Sequence, residues 1–83
     1  MPTTSAAARD RRVRGRALRE LRQRADITPE ELAARVGTDD AYVSRVETGR
    51  LDGPLAYLAA TLRALDASVV DLSTEIDGQP STS

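Results

Sequence analysis

The sequence predicts an all-α fold of five helices in one small domain. Apolar residues recur at helical spacing along most of the chain, helix-capping residues precede several of these segments, and no strand-like alternation competes with them. The length of 83 residues suffices for one modest core and not for a catalytic cleft between domains. We divide the chain into a flexible, arginine-rich arm (residues 1–13), a helical domain (residues 14–76) and a disordered tail (residues 77–83).

The first helix is predicted over residues 14–25, with Leu18, Leu21 and Ala25 as its apolar stripe. Residues 1–8 are small or polar and show no periodicity. Arginines at the start of a helix oppose its macrodipole, at a cost of about 0.3–1 kcal/mol each. We therefore assign residues 1–13 to the arm and expect residues 9–14 to be only partly helical.

The second helix begins at a strong start signal, in which Thr28 is the N-cap and Pro29 the first helical residue. It ends at Val36, and Gly37 supplies a left-handed turn. The third helix is predicted over residues 39–48, with Thr38 or Asp39 as its N-cap and a glycine as its stop.

Two further helices follow a loop over residues 51–54. The fourth is predicted to supply the main ridge of the core, formed by Leu55, Leu58, Leu62 and Leu65. The fifth begins at Ser68 as N-cap and is predicted to bury Val69, Leu72 and Ile76.

The absence of certain residue types excludes most catalytic chemistry. The chain has no cysteine and no histidine, which removes disulfides, thiol nucleophiles, imidazole bases and the usual soft metal ligands. We expect no enzyme activity, no metal and no cofactor. No run approaches the ~18 apolar residues of a membrane span, and arginines stand where a secretory signal needs apolar residues, so we expect a cytoplasmic protein without a membrane partner.

The net charge of −1 conceals a division between the two parts of the chain. Residues 1–25 carry eight arginines against two acids, which gives +6, and the remainder carries four arginines against eleven acids, which gives −7. All twelve basic residues are arginine, which fits either a GC-rich genome or a need for bidentate contacts. The basic start is a solvated charged face, an arm that wraps DNA, or a contact for an acidic protein.

Four residues stand at positions that are typical of two helices crossing at a steep angle. Ala33 lies four residues before Gly37, and Val43 and Val46 follow Gly37 by six and nine residues. A helix-turn-helix needs a small residue where its helices touch, a turn between them and aliphatic residues that seat the second helix. The face of the third helix opposite the valines holds Asp40, Ala41, Ser44, Arg45 and Thr48.

Three stretches resemble a known family. They read L-R-E-L-R at residues 18–22, E-E-L-A at residues 30–33 and Y-V-S-R-V-E-T-G-R at residues 42–50. The chain resembles, without a gap from about residue 16 to residue 74, the lambda-repressor-like (Cro/repressor, xenobiotic response element) helix-turn-helix family. The resemblance implies a compact five-helix domain that binds double-stranded DNA.

The resemblance also implies roles at matching positions. Side chains that members place in the DNA major groove correspond to Asp40, Ala41, Ser44 and Arg45. Arg45 is the first choice for reading a base, because its fork can bind guanine O6 and N7 together, which is worth about 1–3 kcal/mol of discrimination. Members grip phosphates at the positions of Thr28, Thr48 and Arg50, and they form a partly buried ion pair at the positions of Arg22 and Glu47. From the basic start of the chain we add Arg12 and Arg16 as DNA-backbone residues.

Residues at the starts of the second and third helices depart from the family pattern, and Gly53-Pro54 displaces a proline that members usually place one residue earlier. Pro29 stands where members usually carry a glutamine that contacts the DNA backbone, and proline offers neither that amide nor a backbone N–H. Asp39 and Asp40 would repel phosphates, although Asp40 could accept from cytosine N4. Capping of the third helix and compensation of its dipole is the competing explanation for both aspartates.

These features predict a sequence-specific transcriptional regulator. We expect a repressor that binds a two-fold symmetric operator as a homodimer, because one small module makes too few phosphate contacts. Val70 stands where members often have an acidic residue and suggests a partner surface near the fifth helix.

The alternative function is that of an antitoxin or anti-repressor adaptor, whose fold mainly binds a protein such as a toxin. Pro29, Asp39 and Asp40 favour this alternative. Glu30 and Glu31 are helix-start acids or, alternatively, a contact for RNA polymerase.

Overall fold

The computed structural model describes residues 5–79, which form five α-helices and, within that range, no strand. The helices are α1 (Ala6–Arg24), α2 (Pro29–Val36), α3 (Asp40–Glu47), α4 (Leu55–Ala64) and α5 (Val69–Asp77). α1 packs against α3 and α5, and α2 packs against α3 and α4. The predicted all-α class with five helices is confirmed.

The first helix begins at Ala6, so the predicted start at residue 14 was wrong and residues 6–13 of the predicted arm are helical. The Ser5 side chain accepts from the Ala8 N–H at 3.1 Å and caps the helix. Three alanines, the best helix formers, follow the cap. The cap and the alanines, together with contacts that Arg11 and Arg12 make with Gly49, offset the cost of arginines near the N-terminus. Residues 1–4 of the predicted arm lie outside the described residues.

One type of connection links α1 to α2 and α4 to α5. Asp26 and Asp66 adopt the left-handed conformation, with φ of 57° and 53°. The residue after each aspartate donates its N–H to the carbonyl oxygen five residues earlier, at 3.3 and 2.8 Å. Thr28 and Ser68 then cap the next helix, as predicted, and accept from backbone N–H groups three residues later.

The turn between α2 and α3 has the predicted geometry. Gly37 has a φ of 86°, and the N–H groups of Gly37 and Thr38 both donate to the Ala33 carbonyl oxygen at 2.9 Å. Of the two candidate N-caps, Asp39 is the one used, because its carboxylate accepts from the Tyr42 N–H at 2.8 Å. This turn fixes the direction in which α3 leaves α2.

The core differs from the prediction at the start of α4 and of α5. Leu55 is 81% exposed and Val69 is 69% exposed, although both were predicted to be buried. Each is the first residue of its helix, and the core does not reach that far. Tyr57 and Thr61 take inward positions on α4 instead. Ala25, predicted to belong to the stripe of the first helix, is its exposed C-cap.

The end of α5 packs against the middle of α1. Asp77 is the last residue of α5, Gly78 is its C-cap, and the Gln79 side chain donates to the Val13 carbonyl oxygen at 2.8 Å. Residues 77–79 of the predicted tail therefore belong to the fold, and residues 80–83 lie outside the described residues. Among residues 5–79, no helix combines the length and the apolar character that a membrane crossing requires.

Candidate nucleic-acid interface

The four predicted base-reading residues share the outer face of α3. Asp40, Ala41, Ser44 and Arg45 are all exposed. On the opposite face Val43 and Val46 are fully or almost fully buried. The Arg45 side chain makes no hydrogen bond or ion pair with any residue of the described chain. Its guanidinium donors are therefore available to a ligand.

A buried ion pair fixes α3 to α1. The Arg22 guanidinium donates from Nε to Oε2 of Glu47 at 2.8 Å and from Nη2 to Oε1 at 3.0 Å. Its Nη1 donates to the Ile27 carbonyl oxygen at 2.8 Å, which adds the connection between α1 and α2 to the network. The two residues are only 7% and 8% exposed. The hydrogen bond to Glu47 outweighs the desolvation and raises the pKa of Arg22, so the guanidinium stays charged.

A glycine in α1 allows the backbone of α3 to come close. A Cβ at Gly15 would lie 2.7 Å from the Glu47 carbonyl oxygen and closer still to that of Val46. No larger residue fits without moving one of the helices. The sequence analysis gave no role to Gly15, although a glycine inside a helical pattern is a signal of close packing.

The N-terminal half of α1 reaches the end of α3. Arg11 donates from Nε to the Gly49 carbonyl oxygen at 3.4 Å. Gly49 has a φ of 77°, and a Cβ there would lie 2.8 Å from the Arg12 Cα. Arg12 is exposed, and so is Arg50, which follows Gly49 in the chain. Two of the predicted backbone-contacting arginines therefore flank the same glycine.

The other three predicted backbone-contacting residues lie in different surroundings. Thr28 is occupied by its cap, since its hydroxyl accepts from the Glu31 N–H at 3.1 Å and lies 3.2 Å from Glu31 Oε1. Thr48 is exposed and donates its hydroxyl to the Ser44 carbonyl oxygen at 2.8 Å. Arg16 lies beside α5, where it lines a hollow with Glu75, and the structure does not bring it to α3.

The acidic start of α3 has a structural role that the sequence analysis had considered. The Asp39 carboxylate accepts from the Tyr42 N–H as N-cap of α3. Asp40 lies in the first turn of α3, where a negative charge is stabilised by the helix dipole. Asp40 is exposed. The capping role considered for Asp39 is thus observed.

An aromatic pair supports α3 from α4. The rings of Tyr42 and Tyr57 meet edge to face, with centroids 5.1 Å apart and planes at 65°. Tyr57 is buried, and desolvation raises the pKa of its hydroxyl above the ordinary value. The pair could not be predicted from the sequence because its two residues belong to different helices.

The surface around α3 presents exposed cationic and polar groups. Within residues 5–79, no group of three or more acidic, histidine or cysteine side chains is arranged to hold a metal ion. What the surface offers is an exposed helix face with one unpaired arginine, flanked by further arginines of α1 and of the segment after α3.

Comparison with known proteins agrees with this architecture. A family model described as a helix-turn-helix domain matches residues 15–74. Two crystal structures of the clp gene regulator ClgR from Corynebacterium glutamicum have TM-scores of 0.79. One is 33% identical and covers 92% of this chain and 78% of that chain, and the other is 32% identical and covers 94% and 96%.

A third similar structure is the restriction-modification controller protein C.AhdI from Aeromonas hydrophila. It is 32% identical, has a TM-score of 0.77, and covers 82% of this chain and 99% of that chain. No curated protein gave a significant match.

Proposed function

Because the chain belongs to the lambda-repressor-like helix-turn-helix family, we propose that it is a DNA-binding transcriptional regulator whose α3 reads sequence in the major groove. The observation that carries this proposal is the outer face of α3. Arg45 is exposed there and has no partner in the described part of the chain, and the helix is held at its other face by the buried pair of Arg22 and Glu47. A rigid mounting matters because base contacts require the reading groups to be held in register.

The base-reading residues in this proposal are Asp40, Ala41, Ser44 and Arg45. Arg45 binds guanine, and Asp40 accepts from cytosine N4 where the sequence provides it. Ser44 donates to or accepts from a base edge, and Ala41 gives apolar contact to a thymine methyl group. Each role is a hypothesis about one base position.

The backbone-contacting residues set the position of α3 on the duplex. Arg12 and Arg50 flank Gly49 and would hold one stretch of phosphates near the end of α3. Thr28, at the start of α2, and Thr48, at the end of α3, would contribute polar contacts to the DNA backbone. Arg16 faces α5, so its phosphate contact requires DNA to extend past the edge of α1.

We propose further that the protein is a repressor that acts as a homodimer on a two-fold symmetric operator. A single domain of this size makes few phosphate contacts, and two half-sites about one helical turn apart supply the missing affinity. Val69 and Val70 support a partner surface on α5, because two consecutive valines are 69% and 72% exposed there. A regulator bound to the chromosome works in the cytoplasm, at the nucleoid.

No contact in the described part of the chain supports the alternative function of an antitoxin or anti-repressor adaptor. Asp39, one of the residues that favoured it, is used to cap α3. A toxin or RNA polymerase as protein partner therefore stays a sequence-based prediction.

Selection of bound sequences from a random DNA pool at stated salt tests the proposal. We expect enrichment of a motif with two inverted half-sites whose centres lie one helical turn apart. A single enriched half-site would remove the dimer from the proposal. Recovery of sequences without a shared motif would contradict the proposal that α3 reads the DNA sequence.

A further inference from the structure

A hollow of about 190 Å³ lies where α1, the start of α2 and the DNA-facing side of α3 meet. It has room for about six waters at roughly 30 Å³ each, which is sufficient for a phosphate group. The residues that line it are Arg19, Arg22, Pro29, Ser44, Glu47 and Thr48. Two of them, Ser44 and Thr48, are on the side of α3 that we propose faces DNA, so a strand that passes α3 would run along this hollow.

Arg19 is the free cation of the hollow. It is exposed, and across residues 5–79 it forms no hydrogen bond and no ion pair. The other two charges compensate each other, because both carboxylate oxygens of Glu47 accept from Arg22. The lining therefore has a net charge of +1, which resides on Arg19.

The wall of the hollow that α2 forms offers no free backbone donor of its own. Pro29 is the first residue of α2 and lacks a backbone N–H, and the N–H of Glu31 is occupied by Thr28. Among the first three residues of α2 only Glu30 keeps a backbone N–H without a partner in the described chain, and Glu30 does not line the hollow. Ser44 has an exposed hydroxyl for which the described chain provides no hydrogen bond, but we assign it to a base edge, which leaves Arg19 as the side-chain donor of the hollow.

We propose that Arg19 binds a phosphate of the DNA backbone in this hollow and so joins α1 to the DNA surface of α3. The inference rests on the proposed DNA binding and adds to it a contact from a helix outside the helix-turn-helix. A guanidinium suits this position because its planar fork can donate two parallel hydrogen bonds to one phosphate. Glu30 is near enough to act on the charge of Arg22, and its carboxylate weakens the positive potential at the hollow.

The salt dependence of DNA binding tests this inference. We would measure fluorescence anisotropy of a labelled duplex pool of random sequence from about 50 to 200 mM salt, for the wild type, Arg19→Ala and Arg19→Lys. Loss of one phosphate contact lowers the slope of log affinity against log salt by about 0.9. A fourfold rise in salt then costs Arg19→Ala about 3.5-fold less affinity than it costs the wild type. Arg19→Lys keeps the charge and most of the slope.

Arg63→Ala is the matched control, because Arg63 is an exposed arginine of α4 that does not line the hollow. It should keep the wild-type slope. Since Arg19 forms no hydrogen bond or ion pair within residues 5–79, the thermal unfolding of Arg19→Ala should equal that of the wild type. A wild-type slope in Arg19→Ala would overturn this inference while leaving the proposed function intact. A wild-type protein that binds no duplex would overturn both.

Discussion

Gly15 of α1 lies directly against the backbone of Glu47 in α3, since a Cβ on Gly15 would be 2.7 Å from the Glu47 carbonyl oxygen. The same Glu47 holds Arg22 through its side chain. Backbone and side chain of one residue thus fasten the proposed DNA-reading helix to α1. The position of α3 depends on α1 as much as on its partner α2.

Replacement of Gly15 tests the close approach. Alanine normally stabilises a helix interior by about 0.5–1 kcal/mol relative to glycine. Here we expect Gly15→Ala to lower the free energy of unfolding by about 1–3 kcal/mol, because backbone atoms must move. Thermal unfolding followed by circular dichroism should show a melting temperature lower by roughly 4–8 °C per kcal/mol. Gln23→Ala, on the exposed side of the same helix, is the control, and an equally stable Gly15→Ala would contradict the packing described.

Removal of one member of the buried ion pair should be far worse than removal of both. Arg22→Met leaves Glu47 buried without a partner, which we expect to cost about 3–5 kcal/mol. In the double variant Arg22→Met with Glu47→Leu, much of that loss should return, because no unpaired charge remains. Urea titrations of the three proteins measure this. If the single and double variants were equally unstable, the pair would not be the source of the loss.

The buried Tyr57 hydroxyl predicts a loss of stability at alkaline pH. Desolvation raises its pKa in the folded protein, so the folded state holds the proton more tightly than the unfolded state. Its contribution is complete below the unfolded pKa of about 10 and is lost as pH rises through the folded pKa. Urea titrations between pH 8 and 11 should show a smaller alkaline loss for Tyr57→Phe. Parallel pH profiles for the two proteins would contradict this assignment.

The proposed dimer surface on α5 can be tested by charge. Val70→Glu should shift sedimentation from dimer to monomer, because paired carboxylates would be buried in the interface. Leu55→Glu is the matched control, since Leu55 is also exposed but belongs to α4. A dimer that survives Val70→Glu, or that Leu55→Glu disrupts equally, would place the interface elsewhere.

The parts of the fold that could be predicted depend on neighbours in the chain. Thr28, Gly37 and Ser68 are caps or turns whose hydrogen bonds close within a few residues, so residue type and order suffice to locate them. The start of α1 was missed although Ser5 caps it locally, because the arginines that follow oppose the helix dipole. What the sequence could not show is that Arg11 and Arg12 contact Gly49, which is more than 35 residues away.

The candidate site also has a part that could be predicted from the sequence and a part that could not. The outer face of α3 follows from helical periodicity, so Arg45 and Ser44 could be identified from the sequence. The hollow at Arg19 could not, because it exists only where three helices meet. Leu55 and Val69 show the converse error, since periodicity gives the face of a helix but not how far the core extends along it.

The most direct test of sequence reading by α3 compares Arg45→Ala with Arg50→Ala. Gel-shift titrations at fixed salt would use a selected duplex and a scrambled duplex of equal length. We expect Arg45→Ala to lose about 1–3 kcal/mol of preference for the selected duplex, whereas Arg50→Ala weakens binding to both duplexes alike. An Arg45→Ala protein that keeps the wild-type ratio of the two affinities would contradict the assignment of α3 as the reading helix.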